Sequence, residues 1–205
     1  RLTYEKEDDA MPIEIKVDEV TEFYKDWEPQ VLLSRKYKSK PSLPIRGGWG
    51  YSKEDAVVID KAHPAAANFR PFNGVEIERL YIQFRLWEEL IGIRPPGRQH
   101  LGCEFKLIKQ SLVGGENGKM YDLMKCDITA LPDHVWEELK AEWEGPSGFR
   151  SVNFDQEEHL RRREAATVHY VGEYWFEISS FYGKYGDDDD DDLPVKLPAI
   201  PAPLI

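Results

Sequence analysis

The chain has 205 residues, of which 41% are hydrophobic and 12% aromatic, and it carries a formal net charge of −11. This length and apolar content suit one globular domain with its own core and exclude a wholly disordered chain. No apolar stretch reaches the roughly 20 residues that a membrane-spanning helix needs, and an acidic chain without a basic stripe is a poor ligand for nucleic acid. We therefore expect a protein of the cytoplasm or of another soluble compartment.

The two ends of the sequence differ in composition from the middle. Residues 1–11 are polar and charged, whereas residues 187–205 join six consecutive aspartates to a proline-rich apolar stretch. Adjacent carboxylates repel one another, and prolines favour an extended chain. We therefore divide the chain into a flexible N-terminal segment (1–11), a single domain (12–186) and an acidic, proline-rich tail (187–205). In the tail, Leu197 and Ile200 are candidate contacts with a partner.

The domain begins with an alternating segment and continues with a helical pattern. In PIEIKV (12–17) every second residue is aliphatic, which predicts a strand. The next apolar residues recur at helical spacing: Val20, Phe23, Tyr24 and Trp27. We predict a helix that Asp18 caps, that continues to about Glu28, and that ends at Pro29.

A loop and a glycine-rich stretch follow this helix. Residues 34–46 carry five cations and two prolines, which predicts a loop. The stretch RGGWGYSK (46–53) matches neither the phosphate-binding nor the dinucleotide-binding glycine pattern. It is either a tight connection whose rings pack on the body, or a loop that binds a partner or a small ligand. The candidate contacts in the second case are Trp49, Tyr51, Arg46 and Lys53. AVVI (56–59) predicts a short buried strand or the end of a helical turn.

The segment from 77 to 91 fits two periodicities. Its apolar residues match a helix at spacings of three and four, and Leu80, Ile82, Phe84 and Leu86 also alternate as in a strand. Its β-branched and aromatic content slightly favours a strand as far as Trp87.

A hairpin is the clearest signal in the sequence. Residues 103–113 and 119–129 alternate in hydrophobicity on either side of Asn117-Gly118, a dipeptide suited to the positive φ of a tight turn. We predict two antiparallel strands that turn at this dipeptide.

The last third of the domain adds two helices and a strand. Residues 133–143 start at Pro132-Asp133, have an apolar stripe and end at Gly145-Pro146, which predicts a helix with Trp136 facing the core. A charged segment near 155–166 predicts a short exposed helix, and the aromatic run from Thr167 predicts a long strand. Together these elements predict an α+β fold, with a mainly antiparallel sheet, two or three helices and extended tails.

Common catalytic and metal-binding patterns are absent from the sequence. The histidines are not spaced as metal ligands, no C-x-x-C pair exists, and no G-x-S-x-G motif is present. For Cys103 and Cys126 we favour two buried thiols in a reduced compartment over a disulfide. We therefore predict no metal site and no cofactor.

Three functions remain open at this point. The favoured one is a non-catalytic protein–protein interaction module, either an acidic inhibitor or immunity-type protein or a subunit of a larger assembly. The second is a small enzyme of unrecognised type that uses the glycine-rich loop 46–53. The third is a small-ligand binder on an aromatic face of the sheet. The missing catalytic motifs favour a protein partner over chemistry, although they do not identify the partner.

Overall fold

Five strands form a single sheet in the structure, a computed structural model that describes residues 19–183. The strands are β1 (Ile45–Gly47), β2 (Val57–Ile59), β3 (His100–Gly114), β4 (Met120–Pro132) and β5 (Val168–Glu177). They lie in the order β1-β2-β5-β4-β3. All neighbouring strands are antiparallel except β2 and β5, which run parallel. The predicted α+β class with a mainly antiparallel sheet is confirmed.

Five α-helices surround this sheet in the described part of the chain, more than the two or three expected. They are α1 (Glu19–Phe23), α2 (Pro29–Lys36), α3 (Gly74–Trp87), α4 (Asp133–Glu144) and α5 (Gln156–Ala166). A π-helical turn (Glu88–Gly92) extends α3, and short 3-10 helices cover Pro64–Asn68 and Glu116–Gly118. Within these same residues, no helix is both long and apolar enough to cross a membrane.

Helix α3 packs on the sheet and supplies much of the core, so the slight preference for a strand at 77–87 is wrong. The Asn73 side chain accepts a hydrogen bond from the Glu76 amide at 3.2 Å and caps the helix. Tyr81 meets Phe176 of β5 edge to face, with 5.7 Å between ring centroids. The strand propensity of a residue reflects how well its side chain packs on a half-buried pleated surface. A helix buried on several sides offers the same residues equally good packing.

The predicted hairpin is confirmed. Strands β3 and β4 pair antiparallel from His100↔Pro132 to Gly114↔Met120. Asn117 and Gly118 have φ values of 55° and 73°, the left-handed conformation that this dipeptide accepts readily. The register slips between Leu107 and Lys109, which leaves Ile108 as an extra residue in β3.

The predicted helix from 18 to about 28 is only partly correct. Helix α1 ends at Phe23, and Pro29 begins the next helix instead of closing the first. Proline fits the first turn of a helix because the amide it lacks has no partner there. Helix α2 therefore occupies the start of the loop expected at 34–46. The strand predicted for 12–17 and the tail 187–205 lie outside the described residues.

The remaining elements agree with the sequence patterns. Residues 57–59 form the buried strand β2, the helices at 133–144 and 156–166 are present, and β5 buries alternate residues such as Tyr174 and Phe176. In α4 only Leu139 is buried, and Trp136 is half-buried against Gly102. The prediction that Trp136 faces the core therefore holds only for part of its ring.

Candidate functional site

The glycine-rich loop leaves β1 and closes tightly on itself. The Asp55 carboxylate accepts hydrogen bonds from the amides of Trp49 at 3.1 Å and Tyr51 at 3.4 Å. The Gly50 amide donates to the Asp55 carbonyl at 2.6 Å. Gly50 has a φ of 74°, and a Cβ there would lie 2.9 Å from the Trp175 carbonyl oxygen. The glycine is needed because backbone approaches backbone at this point.

The two rings of this loop point into the protein. Trp49 is only 4% exposed and stacks on Tyr24 with 5.8 Å between ring centroids. Tyr51 donates its hydroxyl to Glu89 Oε1 at 2.7 Å. Neither side chain is presented to a partner in this structure. Their positions match the first alternative for the loop, a connection whose rings pack on the body.

The other two predicted contacts among the described residues, Arg46 and Lys53, each interact with different groups. Arg46 is exposed on β1, 3.4 Å from the Asp60 carboxylate. Lys53 donates to the Gly114 carbonyl at 3.2 Å and lies over the Tyr121 ring at the hairpin end of the sheet. Leu197 and Ile200 lie outside the described residues. In the part of the chain that the structure describes, the predicted contact set thus combines two inward-facing rings with two basic side chains that have local partners.

A buried arginine fastens the glycine-rich loop to α3 and β5. Arg85 donates to the carbonyls of Trp49, Gly50 and Glu173 at 3.1–3.3 Å. Its guanidinium also donates to Glu89 Oε1 at 2.7 Å. The guanidinium carbon lies 3.6 Å from the Tyr51 ring centroid and 4.3 Å from that of Tyr174.

The cluster around Arg85 has a structural role. An arginine held by one carboxylate, three carbonyls and two aromatic faces has few donors left for a ligand. Burial raises the pKa of the Tyr174 hydroxyl, and the Glu89 carboxylate adds to that rise. Sequence reasoning missed the cluster because the segment 77–91 was ambiguous. The available signal was an Arg–Glu pair four residues apart, Arg85 and Glu89, inside a segment rich in apolar residues.

A second buried carboxylate fixes α1 and α2 to the π-helical turn. Glu88 is fully buried and accepts hydrogen bonds from the hydroxyls of Tyr24 at 2.6 Å and Tyr37 at 2.7 Å. Lys36 supplies the countercharge. Burial and the Glu88 hydrogen bond both raise the pKa of Tyr37. Glu88 is thus satisfied by partners at or directly after the C-terminal ends of α1 and α2.

Two further carboxyls are buried between α3 and the hairpin. Glu78 is 2% exposed, and its pKa is raised to about 8, first by burial and then by the Asp122 carboxylate. Burial also raises the pKa of Asp122, which accepts a hydrogen bond from the Gln110 amide. Within residues 19–183, no group of three or more Cys, His, Asp and Glu side chains is placed to hold a metal ion.

An open groove of about 350 Å³ lies between the α1–α2 connection and the glycine-rich loop. Its lining includes Tyr24, Trp27, Glu28, Gly48 and Asp55. Thr21, Lys25 and Asp26 also line it, and no cysteine, histidine or serine is among its described lining residues. The Asp55 carboxylate is already engaged by the loop amides.

The aromatic sheet face and the thiols offer little to a small ligand. Tyr174 and Phe176 are buried beneath α3, so this face is already occupied. Cys103 and Cys126 are free, and burial raises their pKa to about 12 and about 11 respectively. A thiol with a raised pKa stays protonated at neutral pH and is a poor nucleophile.

The outer side of β3 is an edge of the sheet in the described part of the chain. β3 is the last strand of the sheet in the described part of the chain, and it is 15 residues long. Ile108 is 54% exposed and Leu112 is 51% exposed. Lys106 and Lys109 are also exposed, and neither forms an ion pair with another described residue. Among residues 19–183, this edge therefore combines a backbone without a neighbouring strand, exposed apolar side chains and lysines without an ion pair.

The chain was compared with protein-family models, with curated proteins and with solved structures. No family model, no curated protein and no solved structure matches it.

Proposed function

We propose that this chain is a protein–protein interaction module that binds an extended segment of its partner along the far half of β3, residues 108–114. The observation that carries the proposal is the long outer edge of β3, which has no neighbouring strand among residues 19–183. An unpaired edge presents a row of amides and carbonyls that a strand from another chain can complete.

The side chains of this half of β3 also favour a partner. Ile108 and Leu112 leave about half of their surface in water. Edge strands that remain unpaired usually carry features that prevent pairing, such as prolines, charged side chains or β-bulges. Residues 108–114 contain no proline; they carry one charged residue, Lys109, and one bulge, at Ile108 where the segment begins.

The charge of this edge indicates the kind of partner. Lys106 and Lys109 stand on an otherwise acidic protein and make no ion pair with another described residue. An extended segment with alternating apolar and acidic side chains would complement both the aliphatic side chains and these lysines. The inhibitor-type and subunit-type forms of the proposal share this surface.

The two alternative functions have weaker support. The enzyme hypothesis depends on a loop whose Trp49 and Tyr51 are turned inward. The ligand-binding hypothesis depends on a sheet face that α3 covers. We therefore place the interaction on the edge of the sheet and not on loop 46–53.

The test is affinity purification of the tagged full-length chain from its native cells, followed by mass spectrometry. The variant Ile108→Glu/Leu112→Glu places two charges on the proposed surface. The control Val152→Glu changes an aliphatic side chain that is 99% exposed on a distant loop. We expect a partner that the wild type and the control retain and that the double variant loses at least about tenfold. Equal recovery with all three proteins, or no partner with the wild type, would refute the proposal.

A further inference from the structure

We infer that residues 103–107, the near half of β3, are a contact between two copies of this chain, which pair antiparallel with Phe105 of each copy at the two-fold axis. The inference goes beyond the proposed function and does not depend on it. Its occupant is a second copy of the same chain and not a different protein.

The segment 103–107 is a regular stretch of an edge strand. Among residues 19–183, β3 has a neighbouring strand on one side only. The register with β4 shifts just before Glu104 and again after Leu107. Gly102, with a φ of 62°, lies at the first shift, and Ile108 is the extra residue at the second. These two positions lie three residues on either side of Phe105, so they bound a short segment that is symmetric about this residue.

The inner face of this segment is apolar and only partly covered. Phe105 pairs with the buried Ile128 and packs against the core, as does Cys103. Leu107 pairs with the buried Cys126 and is still 36% exposed. Pairing about Phe105 would place Leu107 against Cys103 of the other copy. The two strands would thus cover apolar surface that the described part of one chain leaves in water.

The outer face carries one charge of each sign. Glu104 and Lys106 are exposed and stand one residue on either side of Phe105. Arg163 lies 3.5 Å from Glu104, whereas Lys106 makes no ion pair with another described residue. In an antiparallel pair centred on Phe105, Glu104 stands opposite Lys106 of the other copy. The two-fold axis makes this ion pair twice, so the segment is complementary to itself.

The charges select this register over its neighbours. An axis at residue 104 would set Glu104 against Glu104 of the other copy, and an axis at residue 106 would set Lys106 against Lys106. Like charges that stand directly opposite each other destabilise a pair of strands. A shift that places no residue at the axis would set inner side chains against outer ones. Of these registers, the one centred on Phe105 forms two attractive pairs.

A second copy is therefore the occupant that the charge pattern favours. Charged side chains often keep an edge strand unpaired. Here both signs are present at equal distances from one residue, which is the arrangement that an isologous contact needs. Beyond Gly102 the other copy would continue beside residues 109–110, so the dimer and the proposed partner would compete for part of the edge. The test consequently uses the purified chain alone.

Sedimentation velocity of the full-length chain, from about 5 to about 500 µM, measures the dimer. Pairing of five residues forms a small interface, so we expect a dissociation constant on the order of 100 µM. Glu104→Lys and Lys106→Glu each replace two attractive pairs with two repulsive ones and should weaken the dimer at least about tenfold. The control Lys38→Glu makes the same change of charge as Lys106→Glu, at an exposed lysine after α2, and should leave the dimer unchanged.

An equimolar mixture of the two variants tests the register. Glu104→Lys presents two lysines and Lys106→Glu presents two glutamates, so a mixed dimer again has two attractive pairs. We expect the mixture to dimerise about as strongly as the wild type, although neither variant does so alone. This recovery would also show that both variants are folded.

Three results would overturn the inference. A wild type that stays monomeric up to about 500 µM, several times the expected dissociation constant, would refute the dimer. Single variants that dimerise like the wild type would place the contact elsewhere, and a mixture as weak as its components would refute the register. Amide hydrogen exchange of residues 103–107 should slow as the protein concentration rises. Exchange that does not depend on concentration would likewise refute the contact between copies.

Discussion

Replacing Glu78 with glutamine should make the stability of the protein less dependent on pH. In the folded state the Glu78 carboxyl keeps its proton up to a pKa of about 8, because burial and the nearby Asp122 carboxylate disfavour its charge. In the unfolded chain a glutamate releases its proton near pH 4.3. Between these values the folded state binds more protons, so the free energy of unfolding should fall as pH rises through this window.

The size of this effect follows from the shift. The rise of the Glu78 pKa from 4.5 to about 8 limits the loss of unfolding free energy across this pH window to at most about 5 kcal/mol. Relaxation and water penetration reduce such penalties in real proteins, so we expect about 2–3 kcal/mol. Chemical denaturation at several values between about pH 5 and pH 9 measures it. Glu78→Gln should flatten the curve, and the exposed Glu76→Gln on the same helix should retain the wild-type slope. Parallel curves for the wild type and Glu78→Gln would show that Glu78 is ionised in the folded protein.

Three further predictions concern packing and the buried charges. Arg85→Met should lower the free energy of unfolding by about 3–5 kcal/mol because it leaves Glu89 buried without its cation. Adding Glu89→Met should recover part of this loss in the same denaturant melt. No recovery would argue against the pairing of Arg85 with Glu89. Gly50→Ala should lower the free energy of unfolding by about 2–4 kcal/mol. Gly97 also has a positive φ but has open space around it, so Gly97→Ala should lower it by only about 1 kcal/mol. Trp136→Ala should lower the free energy of unfolding by about 2–3 kcal/mol, less than the loss of a fully buried tryptophan. A smaller loss in thermal and denaturant melts would show that the Trp136 ring contributes little to stability.

The elements that the sequence predicted well are those with signals at both ends. The β3–β4 hairpin has alternation on both sides of Asn117-Gly118, and α4 has Pro132 before it and Gly145 after it. Each signal restricts only local backbone geometry, so no distant contact is needed to interpret it. Pro29 shows the limit of such signals, because the same residue can follow one helix or open the next.

Sequence patterns could not predict helix α3 or the burial of the charged residues in and directly after it. Its apolar residues satisfy two periodicities, and only the layer packed against them decides which one is used. Glu88 and Arg85 are buried because distant segments compensate their charges: the Tyr24 hydroxyl donates to Glu88, and the Tyr51 ring lies against the Arg85 guanidinium. A charged residue normally predicts an exposed position, and the compensation exists only in three dimensions.

The parallel pairing of β2 with β5 has a consequence for the order in which the protein assembles. The β3–β4 hairpin joins neighbouring segments, and such units form within microseconds. The β2–β5 contact joins residues 57 and 176, and closing so long a loop is entropically costly. We expect the glycine-rich loop to dock together with this contact, since Arg85 binds that loop and the β5 backbone together.

We therefore predict that the guanidinium of Arg85 loses its water shell late in assembly. Substitutions around it should accelerate unfolding and leave the folding rate nearly unchanged, whereas substitutions in the hairpin should slow folding. The charge at the centre of the fold thus acts on the lifetime of the native state more than on the speed with which it forms.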